Sequence, residues 1–248
     1  MKLYGLIGYP LEHSASPSFF QHKFEKEGVT DADYRLFPIR EINELPRLIA
    51  EHPDLAGFNV TSPHKQTILP YLTRIDNAAA TIGAVNTVSV VCENGTMELH
   101  GFNTDYIGFA ESLMEAVPKL PKRALVLGSG GAARAVTYAL TMLHTAVTLV
   151  SRTEGPGKIT YADLTAEIIS RNQLIVNATP LGMHPNTNGC PDFPFETLTP
   201  EHFLVDLIYN PEETEFLRRG RLLGARTHNG RAMLRYQAEA SWEIFNNT

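Results

Sequence analysis

The sequence comprises 248 residues, of which 43% are hydrophobic and 19% are charged, and its formal net charge at pH 7 is −6. Length and composition indicate a globular protein of one large domain or two small ones, and no apolar run reaches the about 18 residues that predict a membrane-spanning helix. The acidic balance, without any block of Lys or Arg, argues against nucleic acid or a membrane surface as the main partner.

The N-terminal residues and the two cysteines indicate the cellular compartment in which the protein is expected. The start of the chain lacks the long apolar stretch and small-residue cleavage site of a signal peptide. Cys92 and Cys190 lie far apart and match no metal-binding or redox spacing. These features predict a cytoplasmic protein with free thiols and no metal site.

Apolar runs alternate with helical patterns along the first hundred residues, which is typical of an α/β protein with parallel strands. Pro17 occupies a favoured helix start, and Asn94-Gly95 between two alternating runs is a strong hairpin signal. The predicted strands are Lys2–Ile7, Tyr34–Pro38, Leu55–Val60 and the hairpin pair Thr87–Cys92 and Met97–Phe102. The predicted helices are Ser18–Lys26, Glu41–Glu51, His64–Leu72 and Asp76–Ile82.

The rest of the chain reads as a second α/β unit of the nucleotide-binding type. A predicted helix, Asp105–Val117, leads into a linker that contains Pro118 and Pro121. The predicted strands are Arg123–Leu127, Ala146–Val150, Leu174–Asn177, Phe203–Leu207 and Ala225–Thr227, and the further helices are Ala132–Leu143 and Leu234–Phe245. We predict one domain from residues 1–103 with about 229–248 and another from 104–228, with the ligands in a cleft between them.

A glycine-rich turn opens the second unit. Residues 126–133 match the pattern G-x-G-x-x-A, directly after a predicted strand and at the start of a helix. Gly128 suits the tight turn, Gly130 allows a pyrophosphate to approach the backbone, and Ala133 allows close packing of helix on strand. The helix N-terminus offers N–H groups and partial positive charge to phosphates, so the turn predicts a dinucleotide site rather than a merely structural connection.

The end of the next strand indicates which cofactor binds. Ser151-Arg152-Thr153 follows the strand without the acidic residue that would accept a hydrogen bond from the ribose of NAD. A guanidinium and two hydroxyls suit the 2′-phosphate of NADP, which we therefore favour over NAD. Arg152 as a solvated surface residue is the alternative, and Glu154 beside it opposes phosphate binding.

Three polar clusters follow strand ends in the first unit, at residues 8–17, 59–65, and 83–87 with 101–105. Ligands bind at the carboxyl ends of parallel strands, so we expect these clusters to converge. The alternative interpretation makes Ser14 and Ser16 helix caps, Lys65 a surface lysine and Asp105 an N-cap. Many hydroxyls and amides around one ammonium and one carboxylate suit a small polyhydroxylated substrate. The expected side chains are Ser14, Ser16, Asn59, Thr61, Asn86 and Asn103 with Lys65 and Asp105.

Over nearly its whole length the chain resembles the shikimate dehydrogenase family. The likeness rests on ordered motifs in both units, which makes it specific. In the first unit they are Gly8–Pro17, Asn59–Lys65, Gly83–Thr87 and Asn103-Thr104-Asp105-x-x-Gly108. In the second they are Gly128–Ala133, Asn177–Met183, Asp206–Pro211 followed by x-x-Thr214, and Asn229-Gly230-x-x-Met233-Leu234-x-x-Gln237.

The resemblance implies an N-terminal α/β substrate domain, a Rossmann-like dinucleotide-binding domain and a cleft between them. It implies reversible, NADPH-dependent reduction of 3-dehydroshikimate to shikimate, on the route to the aromatic amino acids. Lys65 and Asp105 match the catalytic pair of the family, and the substrate positions match Ser14, Ser16, Asn59, Thr61, Asn86, Tyr209 and Gln237. The cofactor positions match Gly128, Ser129, Gly130, Gly131, Ala132, Ala133, Ser151, Arg152, Thr153, Thr179, Met183, Gly230 and Met233.

Two departures from the family pattern concern the cofactor. Ser151 stands where the family often has Asn, and Glu154-Gly155-Pro156-Gly157 precedes Lys158 where a further basic residue often comes earlier. The expectation is weaker discrimination for the 2′-phosphate. His13 and His64 are expected to make local, loop-shaping hydrogen bonds rather than a proton relay.

The sequence leaves several alternatives open. A quinate or dual quinate/shikimate dehydrogenase using NAD is the nearest one. A non-catalytic nucleotide-binding regulator and a tetrahydrofolate-linked dehydrogenase of similar shape are remote ones. The predicted partner is a small-molecule substrate, and the chain is expected to be a monomer or homodimer.

Overall fold

The computed structural model describes residues 1–93 and 96–247. The chain divides into two compact units, Met1–Thr104 with Gln237–Thr248 and Asp105–Tyr236. The turn predicted at Asn94-Gly95 lies outside the described residues, but the strands on either side of it pair in antiparallel fashion as predicted.

The first unit contains one mixed sheet with the strand order β2-β1-β3-β5-β6-β4. Its strands are β1 (Lys2–Gly8), β2 (Ala32–Pro38), β3 (Leu55–Val60), β4 (Arg74–Ile75), β5 (Thr87–Glu93) and β6 (Thr96–Phe102). The strands β1, β2 and β3 are parallel, and β5 runs antiparallel to both β3 and β6. Consequently the ends of β1, β2, β3 and β6 and the start of β5 lie at the same edge.

Three helices belong to the first part of this unit: α1 (Ser16–Glu27), α2 (Leu45–Glu51) and α3 (Asn77–Ile82). Two of the predictions here need correction. The predicted helix at 41–51 begins as a separate 3-10 turn, Ile42–Glu44. The predicted helix at 64–72 is wrong, because the segment forms successive turns and a 3-10 turn at Leu69–Tyr71. Pro70 contributes to this, since it supplies no backbone N–H and cannot continue a helix that begins at residue 64.

The second unit contains a parallel sheet with the order β12-β11-β10-β7-β8-β9. Its strands are β7 (Arg123–Leu127), β8 (Ala146–Ser151), β9 (Lys158–Thr160), β10 (Leu174–Asn177), β11 (Phe203–Asp206) and β12 (Arg226–His228). Its helices are α4 (Asp105–Ala116), α5 (Gly131–Met142), α6 (Ala166–Arg171) and α7 (Glu215–Leu222), and α8 (Arg231–Asn247) closes the chain. From β9 the order reads 3-2-1-4-5-6, the doubly wound order of dinucleotide-binding sheets, whose switch point lies between β7 and β10.

The strand β7 shows why the central strands of this sheet are apolar on both faces. Ala124 and Val126 pack into one hydrophobic cluster with Phe109 and Val136, whereas Leu125 packs into another on the opposite face. A parallel strand with helices on both faces has no solvent-facing side, so alternating residues are both apolar. This is the pattern that made the strand predictable.

The last helix contributes to the core of the first unit. From Gln237 onward its residues belong to that unit, and Trp242 and Phe245 pack in a cluster with Tyr4 and Phe20. A side chain at Gly57 would lie 2.6 Å from Cδ1 of Phe245, so the helix rests directly on the backbone of β3. Among the described residues, no helix is long and apolar enough to span a membrane.

Candidate functional site

The backbone joins the three polar clusters of the first unit at one edge of its sheet. Each cluster donates a hydrogen bond to, or accepts one from, another cluster or the adjoining strand. The polar residues that follow β1, β3 and β6 and precede β5 therefore converge, as the sequence predicts. The bonds are Tyr9 N to Ser62 O (3.0 Å), Thr61 N to Ile7 O (2.9 Å), Val60 N to Asn86 O (2.8 Å), Val85 N to Lys65 O (2.7 Å) and Asn86 N to Phe102 O (3.0 Å).

Asn59 organises this edge. Its side chain is 7% exposed, and its Oδ1 accepts a hydrogen bond from the Tyr34 hydroxyl at 2.8 Å. Its Nδ2 donates to Asn86 O at 3.2 Å, to Thr87 Oγ1 at 3.2 Å and to Ser241 Oγ at 2.9 Å. The amide is therefore engaged within the protein on both sides, and its contact with substrate stays a prediction.

Asn86 and Gln237, two predicted substrate contacts from distant parts of the chain, come together. Asn86 is 2% exposed, and its Nδ2 lies 3.4 Å from Gln237 Oε1. Its Oδ1 accepts from the backbone N–H of Thr104 at 2.6 Å. The Asn86 amide is therefore held deep in the sheet, and the half-buried amide of Gln237, on α8, lies beside it.

Ser241 was missed by the sequence reasoning. It is fully buried, and its hydroxyl lies 2.9 Å from Thr87 Oγ1 and 3.0 Å from Thr104 Oγ1, in addition to its contact with Asn59. The available signal was its position one helical turn after Gln237, on the same face of a helix otherwise rich in aromatic residues.

The serine pair does not cap α1. The N-cap of that helix is Ala15, without a side-chain cap, and Ser14 Oγ accepts from the Ser16 backbone N–H at 3.3 Å. The Ser16 side chain hydrogen-bonds the phenol of Tyr34, whose pKa is raised by burial. Tyr34 therefore links Ser16 to Asn59, a role that its position in a strand gave no reason to expect.

The two predicted catalytic residues belong to different units. Lys65 is half-buried in the turn that follows β3, and Asp105 is the first residue of α4 and is 4% exposed. His64, beside the lysine, is buried, with Nε2 at 2.9 Å from Ile39 O. The expectation that this histidine makes a local hydrogen bond is confirmed. Thr61 is half-buried at the same turn.

The glycine turn after β7 has the geometry that a dinucleotide requires. Gly128 has φ 118°, and a Cβ there would lie 3.0 Å from Ala178 O, so only glycine fits. A Cβ at Gly130 would meet nothing within 4 Å, so the backbone at the start of α5 is open to a ligand. Ala133 is fully buried against the sheet. Ser129, Gly131 and Ala132 complete the turn, which fits a pyrophosphate at a helix N-terminus.

Two cationic side chains lie near the end of β8: Arg152 follows the strand directly, and Lys158 is the first residue of β9. Ser151 is buried, and its Oγ donates to Thr153 O at 2.5 Å, while Arg152 is exposed. Lys158 Nζ lies 3.2 Å from Thr153 Oγ1. A turn closed by the bond from Lys158 N to Gly155 O, at 3.3 Å, brings this lysine back toward Thr153 despite the residues that separate them in sequence.

The lysine stem crosses Gly155, where a Cβ would lie 2.5 Å from Lys158 Cε. A larger residue at position 155 would displace the stem. Lys158 comes later in sequence than the basic residue that the family often has, but its ammonium lies beside the Thr153 hydroxyl. A hydroxyl, a guanidinium and an ammonium together form a donor set that fits a phosphate.

Of the remaining predicted site residues, the cofactor positions follow β10 and β12, and the substrate position Tyr209 follows β11. Thr179 is half-buried and donates from its backbone N–H and its hydroxyl to Asn177 Oδ1, at 3.0 and 2.7 Å. Tyr209 is half-buried and Met183 is exposed. The backbone N–H of Gly230 donates to Ile208 O at 3.0 Å.

Met233, like Ala133, lies in the hydrophobic core of the second unit. Its side chain is 9% exposed and packs in the hydrophobic core of the second unit with Phe109 and Phe203. A contact between this side chain and the cofactor stays a prediction.

Comparison with known proteins agrees with this geometry. A family model described as the shikimate dehydrogenase substrate binding domain matches residues 6–88. The chain is 39% identical over 264 residues to shikimate dehydrogenase (NADP(+)) of Desulforamulus reducens, which covers 97% of this chain and 88% of that protein.

Two solved structures extend the likeness to the fold. The shikimate 5-dehydrogenase of Thermus thermophilus, in complex with NADP(H) and shikimate, is 32% identical with a TM-score of 0.88, covering 100% of this chain and 94% of its own. The quinate dehydrogenase of Corynebacterium glutamicum, in complex with NAD, is 28% identical with a TM-score of 0.85, covering 100% and 94%. This chain belongs to the shikimate dehydrogenase family.

Proposed function

We propose that the chain is an NADP-dependent shikimate dehydrogenase that reversibly reduces 3-dehydroshikimate to shikimate in aromatic amino acid biosynthesis. The observation that carries this is the likeness over nearly the full length to an enzyme named shikimate dehydrogenase (NADP(+)), at 39% identity. The polar sheet edge in one unit and the glycine turn in the other support the same conclusion.

The substrate is a ring with several hydroxyls and one carboxylate, which requires many donors and acceptors. We assign its recognition to Ser14, Ser16, Asn59, Thr61, Asn86, Tyr209 and Gln237. The Ser14 and Ser16 hydroxyls are the proposed partners of the carboxylate, because no arginine occurs among the motif residues of the first unit.

Reduction of a ketone to an alcohol adds a hydride to carbon and a proton to oxygen. Bound NADPH supplies the hydride. Lys65 is the proposed acid: its ammonium stabilises the negative charge that develops on the ketone oxygen and transfers a proton to it. Asp105 is the second proposed catalytic residue and orients the reacting hydroxyl. In the oxidative direction Lys65, as the neutral amine, takes the hydroxyl proton.

Cofactor binding is assigned to the second unit. The pyrophosphate is proposed to bind at Gly128–Ala133, over the open backbone of Gly130. The 2′-phosphate is proposed to bind Ser151, Arg152 and Thr153, with Lys158 as an added cation 3.2 Å from the Thr153 hydroxyl. Thr179, Met183, Gly230 and Met233 are assigned to the nicotinamide half.

We further propose that residues 1–103 with about 229–248 form the substrate domain and 104–228 the NADP domain, although by their contacts the residues up to Tyr236 group with the second unit. The protein is proposed to be cytoplasmic, monomeric or homodimeric, and without a nucleic-acid or membrane partner. The formal net charge of −6 supports the last point.

One assay separates the candidate functions. The purified protein is offered shikimate or quinate, each with NADP⁺ or NAD⁺, and reduced-nicotinamide absorbance is followed. Shikimate with NADP⁺ is expected to give the highest kcat/KM. A higher value for quinate with NAD⁺ would favour the second candidate, which the likeness to the quinate dehydrogenase structure supports. Failure to turn over any pair would refute both.

A further inference from the structure

A buried carboxylate with no role in the proposed chemistry lies at the end of β11. Asp206 is 0% exposed, and the three groups bonded to it are neutral. Asn177 Nδ2 donates to its Oδ2 at 3.0 Å, Thr214 Oγ1 donates to the same oxygen at 2.6 Å, and the Ile208 backbone N–H donates to Oδ1 at 3.0 Å. Burial of a carboxylate is costly unless hydrogen bonds replace its lost hydration, so these three bonds are what the site provides for it.

One of these bonds leads to the loop after β10. Asn177 and Asp206 are paired residues at the ends of neighbouring strands, next to the switch point of the sheet. While Nδ2 of Asn177 donates to Asp206, its Oδ1 accepts both the backbone N–H and the hydroxyl of Thr179. The carboxylate therefore fixes which way the Asn177 amide faces, and through it the position of Thr179.

Another bond leads to the segment after β11. Ile208, which donates to Asp206, accepts at its own carbonyl the Gly230 N–H. A Cβ at Gly230 would lie 2.0 Å from Leu207 O, so the two segments are in close backbone contact. Tyr209 follows directly in sequence. A shift of Ile208 would thus move both Tyr209 and Gly230.

We propose that Asp206 is a positioning residue of the cofactor site, holding the Thr179 loop and the Ile208–Gly230 contact in one arrangement. This rests on the proposed function, which assigns Thr179 and Gly230 to the cofactor. Thr214 forms the third contact, and its hydroxyl also caps α7 by accepting from Leu217 N at 3.3 Å.

The geometry requires a carboxylate rather than an amide. Asp206 accepts on both oxygens, whereas the amide of an asparagine side chain has a single carbonyl oxygen. In one orientation an amide introduced at position 206 would point its NH₂ at the Ile208 N–H, and in the other at the NH₂ of Asn177. Either orientation leaves a buried donor facing a donor, which displaces one of the two segments.

The test compares variants that each lose bonds of the same carboxylate. Isothermal titration calorimetry gives the Kd for NADP⁺, which does not depend on turnover. Asp206→Asn and Asn177→Ala are expected to raise this Kd about tenfold, as expected for a buried donor left unpaired. Thr214→Val loses the hydroxyl bond to Asp206 and the cap of α7 but keeps the bonds of Asp206 to Asn177 and Ile208. It is expected to lower the melting temperature and to change the Kd less than about twofold.

A rescue variant separates this specific role from general damage. In the double variant Asn177→Asp/Asp206→Asn, the carboxylate moved to position 177 accepts from the amide NH₂ at position 206 and from Thr179. The carbonyl of the same introduced amide accepts from Ile208. The Kd of this variant is expected to return to within about threefold of wild type, as coupled positions allow.

Three results would overturn the proposed role of Asp206, and a fourth would refute the proposed cofactor. A wild-type Kd for Asn177→Ala, an equal loss of affinity in Thr214→Val, or no recovery in the exchanged variant would overturn the proposal. Asn177→Ala and Thr214→Val keep the comparison available even when Asp206→Asn does not fold. Absence of NADP⁺ binding by the wild-type protein would instead refute the proposed cofactor.

Discussion

Replacement of Lys158 by methionine tests the assignment of the 2′-phosphate site. The change keeps an unbranched apolar stem over Gly155 and removes the ammonium that lies 3.2 Å from Thr153 Oγ1. Since Lys158 contacts a hydroxyl assigned to NADP, the loss is expected in the affinity for NADP⁺ and not for NAD⁺, which has no phosphate at that position.

The magnitude follows from the charge and its exposure. Two unit charges about 4 Å apart attract each other by about 1 kcal/mol in water and by about 4 kcal/mol near a protein surface. Lys158 is half-buried and Arg152 is exposed, so the site is partly hydrated and the lower end of this range applies. A loss of about 1.4 kcal/mol corresponds to a tenfold rise in Kd.

Calorimetric titration with NADP⁺ and NAD⁺ measures both affinities, and Lys122→Met provides a matched control because this exposed lysine precedes β7 in the same unit. We expect Lys158→Met to raise the Kd for NADP⁺ about tenfold and to leave that for NAD⁺ unchanged. Equal losses for both cofactors, or no loss for either, would refute the reasoning.

The other predictions concern catalysis, the substrate and pH. Lys65→Ala is expected to lower kcat by about 10²–10⁴-fold with an unchanged melting curve, and a near-normal kcat would remove this residue from the mechanism. Ser16→Ala is expected chiefly to raise KM for shikimate, and an unchanged KM would count against its contact with the carboxylate. Burial raises the pKa of Asp206 from 3.8 to about 6, so the folded state binds this proton more tightly than the unfolded state. The stability it contributes is present below pH 3.8 and is lost as pH rises through about 6. Urea unfolding of wild type and Asp206→Asn between pH 4 and pH 7 should show the wild-type advantage falling by about 2 kcal/mol, whereas parallel curves would contradict this assignment.

Much of the fold could be predicted because the central strands are short apolar runs between turn residues. Leu55–Val60, Arg123–Leu127 and Leu174–Asn177 have the predicted bounds. The missed elements are short: β4 has two residues, β9 three and α6 six. Segments this short contain too few residues to show the hydrophobic periodicity of a strand or a helix. The α7 helix was missed as well, because its eight residues include three arginines and a glycine.

The side-chain contacts could be predicted less well, because they depend on residues far apart in sequence. Tyr34 on β2 contacts Asn59 on β3 across the intervening strand β1, and Ser241 contacts the same amide from the last helix. Polar motifs beside strand ends predicted that these side chains converge, whereas Tyr34 and Ser241 lie outside every motif.

Transfer of deuterium tests the central claim most directly. The protein is incubated with 3-dehydroshikimate and NADPH that carries deuterium at both C4 positions of the nicotinamide, and the product is analysed by mass spectrometry and NMR. The account predicts shikimate with one deuterium on the carbon that carried the ketone. Unlabelled shikimate, or no shikimate at all, would contradict it.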